Sequence, residues 1–275
     1  MTLDIPAAIE DGLARLPTRV AAILFVAYLA VGALSTITSQ TLGAAFQGWL
    51  RDAVPAADPG TGGGPAGGVG PGMGPGMGPG MGGSSPLALD LGLTVALALF
   101  LAQVVLAQAV GVVTIRTFVS GARDQFPDDL SRRFGWAVVN ALVVSVVVGI
   151  ATFVGLIFLI IPGIYLAVAL YFVEFEVIVE DKGVIDALRD GWALTAGERL
   201  SVFLLLVVLF IIGLISGIPG IVLGFAGAPE LVTVGVSLVV SAVTSLVAVA
   251  IGARAYVQLK GEGWTPPGSA SPFAY

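Results

Sequence analysis

Across 275 residues the chain is 57% hydrophobic and 11% charged, against about a quarter charged for a soluble domain. It contains neither Cys nor His, which excludes disulfides, thiol nucleophiles, Cys/His zinc sites and imidazole bases. A net charge of −6 leaves no basic footprint for nucleic acid.

Taken in chain order, residues 3–16 predict an amphipathic helix. Ile5, Ile9, Leu13 and Leu16 keep helical spacing, Asp4 caps the start, Pro6 fits the first turn, and Pro17 ends it. The segment is too short and polar to span a bilayer, so it is expected in the cytoplasmic interface with Arg15 and Arg19 near the headgroups. Residues 20–38 form the first span. Three acids (Asp4, Glu10, Asp11) precede it and no Ala-x-Ala site follows before Gln40, so it reads as an anchor rather than a cleaved leader.

Residues 39–86 are expected outside the membrane. Residues 42–50, with Trp49, suit a short surface helix, and 55–85 are Gly/Pro-rich and expected to be disordered. Three copies of Gly-Pro-Gly-Met carry Met73, Met77 and Met81 there. Spaced thioethers suit Cu(I), but the spans offer no Met, Cys or His to continue a copper path. No metal or other cofactor is therefore expected.

Further spans are predicted at 91–115, 135–159, 163–179, from 199 to 218 or a little beyond, and 231–256. Ile161-Pro162-Gly163-Ile164 and Ile218-Pro219-Gly220-Ile221 suggest two related hairpins, each turning outside; good turn chemistry in an Ile-rich chain explains the same residues. Between spans four and five, Val184, Leu188 and Trp192 keep i, i+4, i+8 spacing, so a second interfacial helix is expected, with Trp192 at headgroup level. The tail, 259–275, is expected to be disordered. The organisation is thus 1–38 (interfacial helix and first span), 39–86 (external loop), 87–258 (the other five spans) and 259–275.

Eleven of the twelve Lys and Arg lie in segments that this alternation puts on one side; only Arg51 faces the other way. Positive charge is retained in the cytoplasm during insertion, so the expectation is a multi-pass plasma-membrane protein with both termini inside. Ten of the twelve are Arg, and the acidic, Ala/Val/Gly-rich remainder fits a halophilic archaeon or a GC-rich prokaryote.

Glu180, Gly183, Ala187-Leu188, Trp192 and Gly197-Glu198-Arg199, with Asp11-Gly12-Leu13-Ala14-Arg15-Leu16 upstream, carry a resemblance. The pattern is similar to YciC-like proteins, to the membrane domain of some glycerophosphodiester phosphodiesterases and, in composition, to uncharacterised six-span haloarchaeal proteins. The resemblance covers residues 1–38 and 87–258 and implies a membrane domain without assigned chemistry.

Candidate polar sites are few. Ala137, Ala141, Ser145 and Gly149 form a small-residue stripe in span three, as do Ser237, Ser241 and Ser245 in span six, and Gln103, Ala107 and Gly111 in span two. Such stripes let helices approach closely; a polar conduit with Asn140 is the other reading. Glu174 falls somewhat past the midplane of span four, where a carboxylate costs about 2.5–3.5 kcal/mol on insertion scales and normally faces a partner or water. Asn140 and Arg254 are its expected partners, unless a tilted span carries both Glu174 and Glu176 to the cytoplasmic interface, which is the favoured reading. The two sit about 200° apart on a helix and cannot serve one site.

The fold class is therefore an all-α membrane protein, with six transmembrane helices and two cytoplasmic-face interfacial helices. No phosphate-cradling loop or nucleophile triad is present, so catalysis is not expected. The leading reading is an organising or accessory membrane component whose partners are the lipid bilayer and other membrane proteins. The other is a small-solute or ion transporter or channel. A packed, dry interior would favour the first, and an interrupted helix beside a cavity the second.

Overall fold

In a computed structural model the chain is described over residues 3–53, 86–261 and 263–267. The described residues form helices and no strands, and six of the helical segments are long and apolar enough to cross a membrane. The Gly/Pro/Met-rich segment, with Met73, Met77 and Met81, and the last eight residues of the tail lie outside the described residues. Two compact units emerge, one of Met1–Gly32 with Val104–Tyr275, the other of Ala33–Gln103.

The helices are α1 (Ile5–Leu13), α2 (Arg19–Ala53), α3 (Leu93–Ser120), α4 (Phe134–Phe158), α5 (Ile160–Leu170), α6 (Val173–Glu180), α7 (Val184–Leu194), α8 (Arg199–Phe225) and α9 (Glu230–Lys260). Their outer faces are apolar and exposed, from Val26 through Phe210 to Phe225, as lipid-facing surfaces must be.

In the smaller unit, α2 runs on without a break where a separate helix over 42–50 is expected. No Pro interrupts it, and the hydroxyls of Thr38 and Thr41 donate back to the carbonyls of Leu34 and Ile37, so polar residues are accommodated within the helix. At 1.5 Å per residue its 35 residues reach about 52 Å, well beyond the roughly 30 Å of hydrocarbon. The backbone N–H groups of Leu87 and Leu89 donate to Gln40 Oε1 and Thr41 Oγ1, both at 3.0 Å, which ties the approach to α3 against this extension.

In the larger unit, α4 and α5 form a hairpin joined by Leu159 alone, in extended conformation. Pro162 sits in the first turn of α5, where its missing N–H costs nothing. Gly163 allows the hairpin to close: a Cβ there would lie 2.5 Å from the backbone nitrogen of Leu156. The second Ile-Pro-Gly-Ile run behaves differently. Pro219 lies inside α8, which continues to Phe225, and the turn to α9 comes at residues 226–229 with Gly227 at φ +69. The two runs are therefore not equivalent hairpin turns. Pro162 falls in the first turn of a new helix after the extended Leu159, whereas Pro219 lies within a helix that continues past it.

In the two amphipathic helices small residues make the closest approaches, while Ile5, Ile9, Val184 and Leu188 pack partly buried around them. Asp4 caps α1 as its sequence suggests, accepting from the Ala7 N–H at 3.0 Å. Ala8 and Gly12 are buried against α9, and a Cβ on Gly12 would come within 3.0 Å of the Ile251 backbone. In α7, Ala187 and Gly191 are the buried pair; a Cβ on Gly191 would lie 2.6 Å from Val173 Cγ2 and 2.9 Å from Val173 Cα. Each helix thus uses a small residue, three intervening residues and a Gly to bring backbones together. Gly191→Ala should lower stability by about 1–3 kcal/mol, the usual cost of overpacking, as read by unfolding in mixed micelles, while Ala at Gly183, where nothing lies within 4 Å, should lower it far less.

Candidate functional site

The fourth span, Ile160–Glu180, is interrupted at Tyr171 and Phe172, which form a turn between α5 and α6. Phe172 has φ −89 and ψ 2, outside the helical basin. Phe172 and Phe175 meet edge to face at 5.5 Å and Phe175 stacks on Tyr256 at 5.5 Å, so aromatic packing holds the interruption in place. The short α6 begins there, and both candidate carboxylates lie in its first turn.

Glu174 and Glu176 part as their angular separation requires. Glu174 is six residues from the end of the span, about 9 Å into the bundle at 1.5 Å per residue. Its Oε1 accepts one hydrogen bond, from Gln108 Nε2 of α3 at 2.6 Å. The carboxylate borders a cavity of about 430 Å³ walled by α3, α4, α5, α6 and α9. Most of that wall is apolar, including Ile115, Val144, Val148 and Phe175; Ser145, Thr152, Tyr171 and Glu174 supply its polar side chains. The lower half of the α4 stripe, Ala137 and Ala141, is fully buried as packing requires, while Ser145 and Gly149 open onto the cavity.

The partners expected for Glu174 are elsewhere. Asn140 is buried but donates to the Trp136 carbonyl of its own helix at 2.8 Å. Arg254 approaches Asp11 of α1 at 3.6 Å. Ser237, Ser241 and Ser245 do not line the Glu174 cavity.

Glu176 points the other way and is 1% exposed. Lys182 Nζ reaches its Oε2 at 2.6 Å and Lys260 Nζ its Oε1 at 2.7 Å, while the Tyr256 hydroxyl donates to Oε1 at 3.3 Å. These are the two lysines of the chain. Lys182 also pairs with Asp190 of α7 at 2.8 Å, and Lys260 with Glu180 at 3.2 Å; Glu180 accepts from the Trp264 indole at 2.9 Å. Burial lowers the affinity of Lys182 for its proton, but hydrogen bonds to Asp190 and Glu176 outweigh this and hold its pKa above the ordinary value. The Asp190 carboxyl is held below its ordinary value, chiefly by the hydrogen bond from Lys182. The network ties α6, α7, α9 and the segment beyond α9 into one clamp.

A second clamp closes the other side of α6. The Arg116 side chain, 6% exposed, donates to the carbonyls of Ile178, Leu130 and Arg132 and to Asp181 Oδ1. Arg132 reaches Asp181 Oδ2 at 3.0 Å and the Val179 carbonyl at 3.0 Å. Carbonyls in the last turn of a helix have no intrahelical donor and carry the negative end of its dipole, so two guanidinium groups there meet both needs.

The sequence reading missed Gln108, Lys182 and Lys260. One signal was available for the lysines: in a chain that otherwise uses Arg, each stands at the end of an apolar span, where a flexible stem can reach back toward a carboxylate.

A family model described as a domain of unknown function, DUF7847, matches residues 3–259. No curated protein and no solved structure matches the chain.

Proposed function

The chain belongs to the DUF7847 family, and we propose that it is a multi-pass membrane carrier whose cavity binds a small, mainly apolar solute bearing positive charge, with Glu174 as counter-ion. The observation that carries this reading is a carboxylate inside a span, bordering a roomy apolar cavity next to an interrupted helix. Interrupted helices beside a cavity are how transporters place polar groups within the bilayer. An organising component, the first expectation from sequence, has no use for a carboxylate held there by a single side-chain amide. An apolar wall favours the body of an organic cation, and the desolvated carboxylate its charge. The role is binding and passage, without bond-making. The gathering of basic residues at one end of the bundle supports a plasma-membrane protein with that end, and both termini, in the cytoplasm.

Tetraphenylphosphonium, an apolar organic cation, is a suitable probe. The purified protein should bind it saturably and accumulate it in proteoliposomes. Glu174→Gln should weaken binding at least tenfold, about 1.4 kcal/mol, with unfolding midpoint within a few degrees of the parent. Equal binding by Glu174→Gln, or binding that never saturates, would return the molecule to the organising role.

A further inference from the structure

Three arginines that no part of the Glu174 site uses meet at the basic end of the larger unit. Arg15 follows α1, Arg123 follows α3 and Arg254 lies on α9. Their elements are brought together by a backbone bond from the Val20 N–H to the Arg123 carbonyl and by the packing of α1 on α9 through Gly12 and Ile251. The Arg15 guanidinium lies over Gly121, whose φ of +78 leaves the face open: a Cβ there would be 2.6 Å from Arg15 Nη1. Nε and Nη1 of Arg15 and Nε of Arg254 are shielded from water and meet no acceptor among the described residues. Asp11 is the acid nearby, half exposed and no closer than 3.6 Å to Arg254.

Charges that serve only to orient a chain during insertion remain in water. Here donors have been taken out of water and left without acceptors, an arrangement whose cost is recovered only when an acceptor arrives. Desolvation lowers the hold of Arg15 on its proton, and the neighbouring Arg254 and Arg123 lower it further, so the cluster is short of negative charge. Next to it, Arg123, Gly121 and Ser120 form part of the wall of an open cavity of about 770 Å³ that Arg116, Arg132 and three aspartates also line.

We propose that Arg15, Arg123 and Arg254 form a binding site for a phosphate group. Planar guanidinium donors suit phosphate oxygens better than ammonium would, and α1 lies where the headgroup of an anionic phospholipid would sit. The same chemistry would serve a soluble phosphate compound.

The test uses the full chain in detergent, with fluorescent phosphatidylglycerol, fluorescent phosphatidylcholine and radiolabelled inorganic phosphate as probes. Phosphatidylglycerol should bind saturably and at least tenfold more tightly than phosphatidylcholine, and Arg15→Gln or Arg254→Gln should reduce its affinity tenfold or more. If inorganic phosphate displaces it at comparable concentration, the site takes a soluble phosphate; if only lipid binds tightly, it takes a headgroup. Without ligand, Arg15→Gln should raise the melting temperature, because it removes a repulsive charge; a residue that merely held the fold would lower it. Should the Arg15 and Arg254 variants fail to fold, Arg123→Gln, on the loop after α3, gives the same reading. Unchanged phosphatidylglycerol affinity in the folded variants, or no saturable binding by either phosphate probe, would overturn the proposal.

Discussion

Replacing both lysines, Lys182→Met with Lys260→Met, should destabilise the protein by about 3–5 kcal/mol, the usual cost of stranding a buried charge. The lost partners reach Glu176 at 2.6 and 2.7 Å, and the carboxylate they leave behind is 1% exposed, with only the Tyr256 hydroxyl still in reach. Glu176→Gln should cost much less. The lysines are 26% and 15% exposed at the side chain and keep Asp190 and Glu180 as partners, so neither ammonium is stranded. The asymmetry is the diagnostic feature. The triple variant with Glu176→Met as well should recover most of the loss, since an apolar substitute for a buried ionic group is often neutral or better. Equilibrium unfolding in mixed micelles measures all four proteins. If the double lysine variant is no less stable than Glu176→Gln, or the triple no more stable than the double, the clamp is not holding a desolvated charge.

This clamp also marks where the sequence stops being informative. Helix length and apolar composition are local properties, and the six long apolar segments are legible from them because a bilayer demands them. Asp4, Pro6 and the periodic Ile residues located α1 for the same reason: a cap and a helical stripe lie within a dozen residues. Pro219 is less legible: Pro-Gly is good turn chemistry, yet the helix runs on past it to Phe225. Partnership is another matter. Gln108 and Glu174 are 66 residues apart, and Tyr256 and Glu176 are 80 apart. A hydrophobic stripe says which face of a helix turns inward, but in a bundle of apolar helices it does not say which neighbour that face meets. Counting residues along span four left Glu174 between an interior and an interfacial position, and its partner Gln108, on another helix, was not legible at all. The small faces of α1 and α7 were hidden for a related reason. Large apolar residues attract attention as anchors, yet close approach of backbones is set by the residue that is missing a side chain, Gly12 or Gly191.

Arg116→Ala should have an effect of similar size, about 3–5 kcal/mol, and Arg116→Lys should restore less than half of it. Arg116 is a junction. One guanidinium joins the end of α3, the 130–132 segment and the last turn of α6, through three carbonyls and Asp181. A lysine ammonium keeps the charge but cannot present donors in a rigid planar fork to acceptors on both the 130–132 segment and the end of α6. The consequence should concentrate in α6. That helix has eight residues, too few to persist by itself, with the Phe172 interruption at one end and Asp181 in the left-handed region, φ 54, at the other. Without Arg116, the Ile178 carbonyl and the Asp181 carboxylate lose their main donor together. Hydrogen exchange should then accelerate selectively at the amides of residues 176–181, at least tenfold beyond the change in α4 and α9. Uniform acceleration through the bundle would mean that Arg116 supports the whole fold rather than the end of α6. Glu174 lies six residues from this end, so the same measurement followed back along α6 shows how firmly the carboxylate is held toward its cavity.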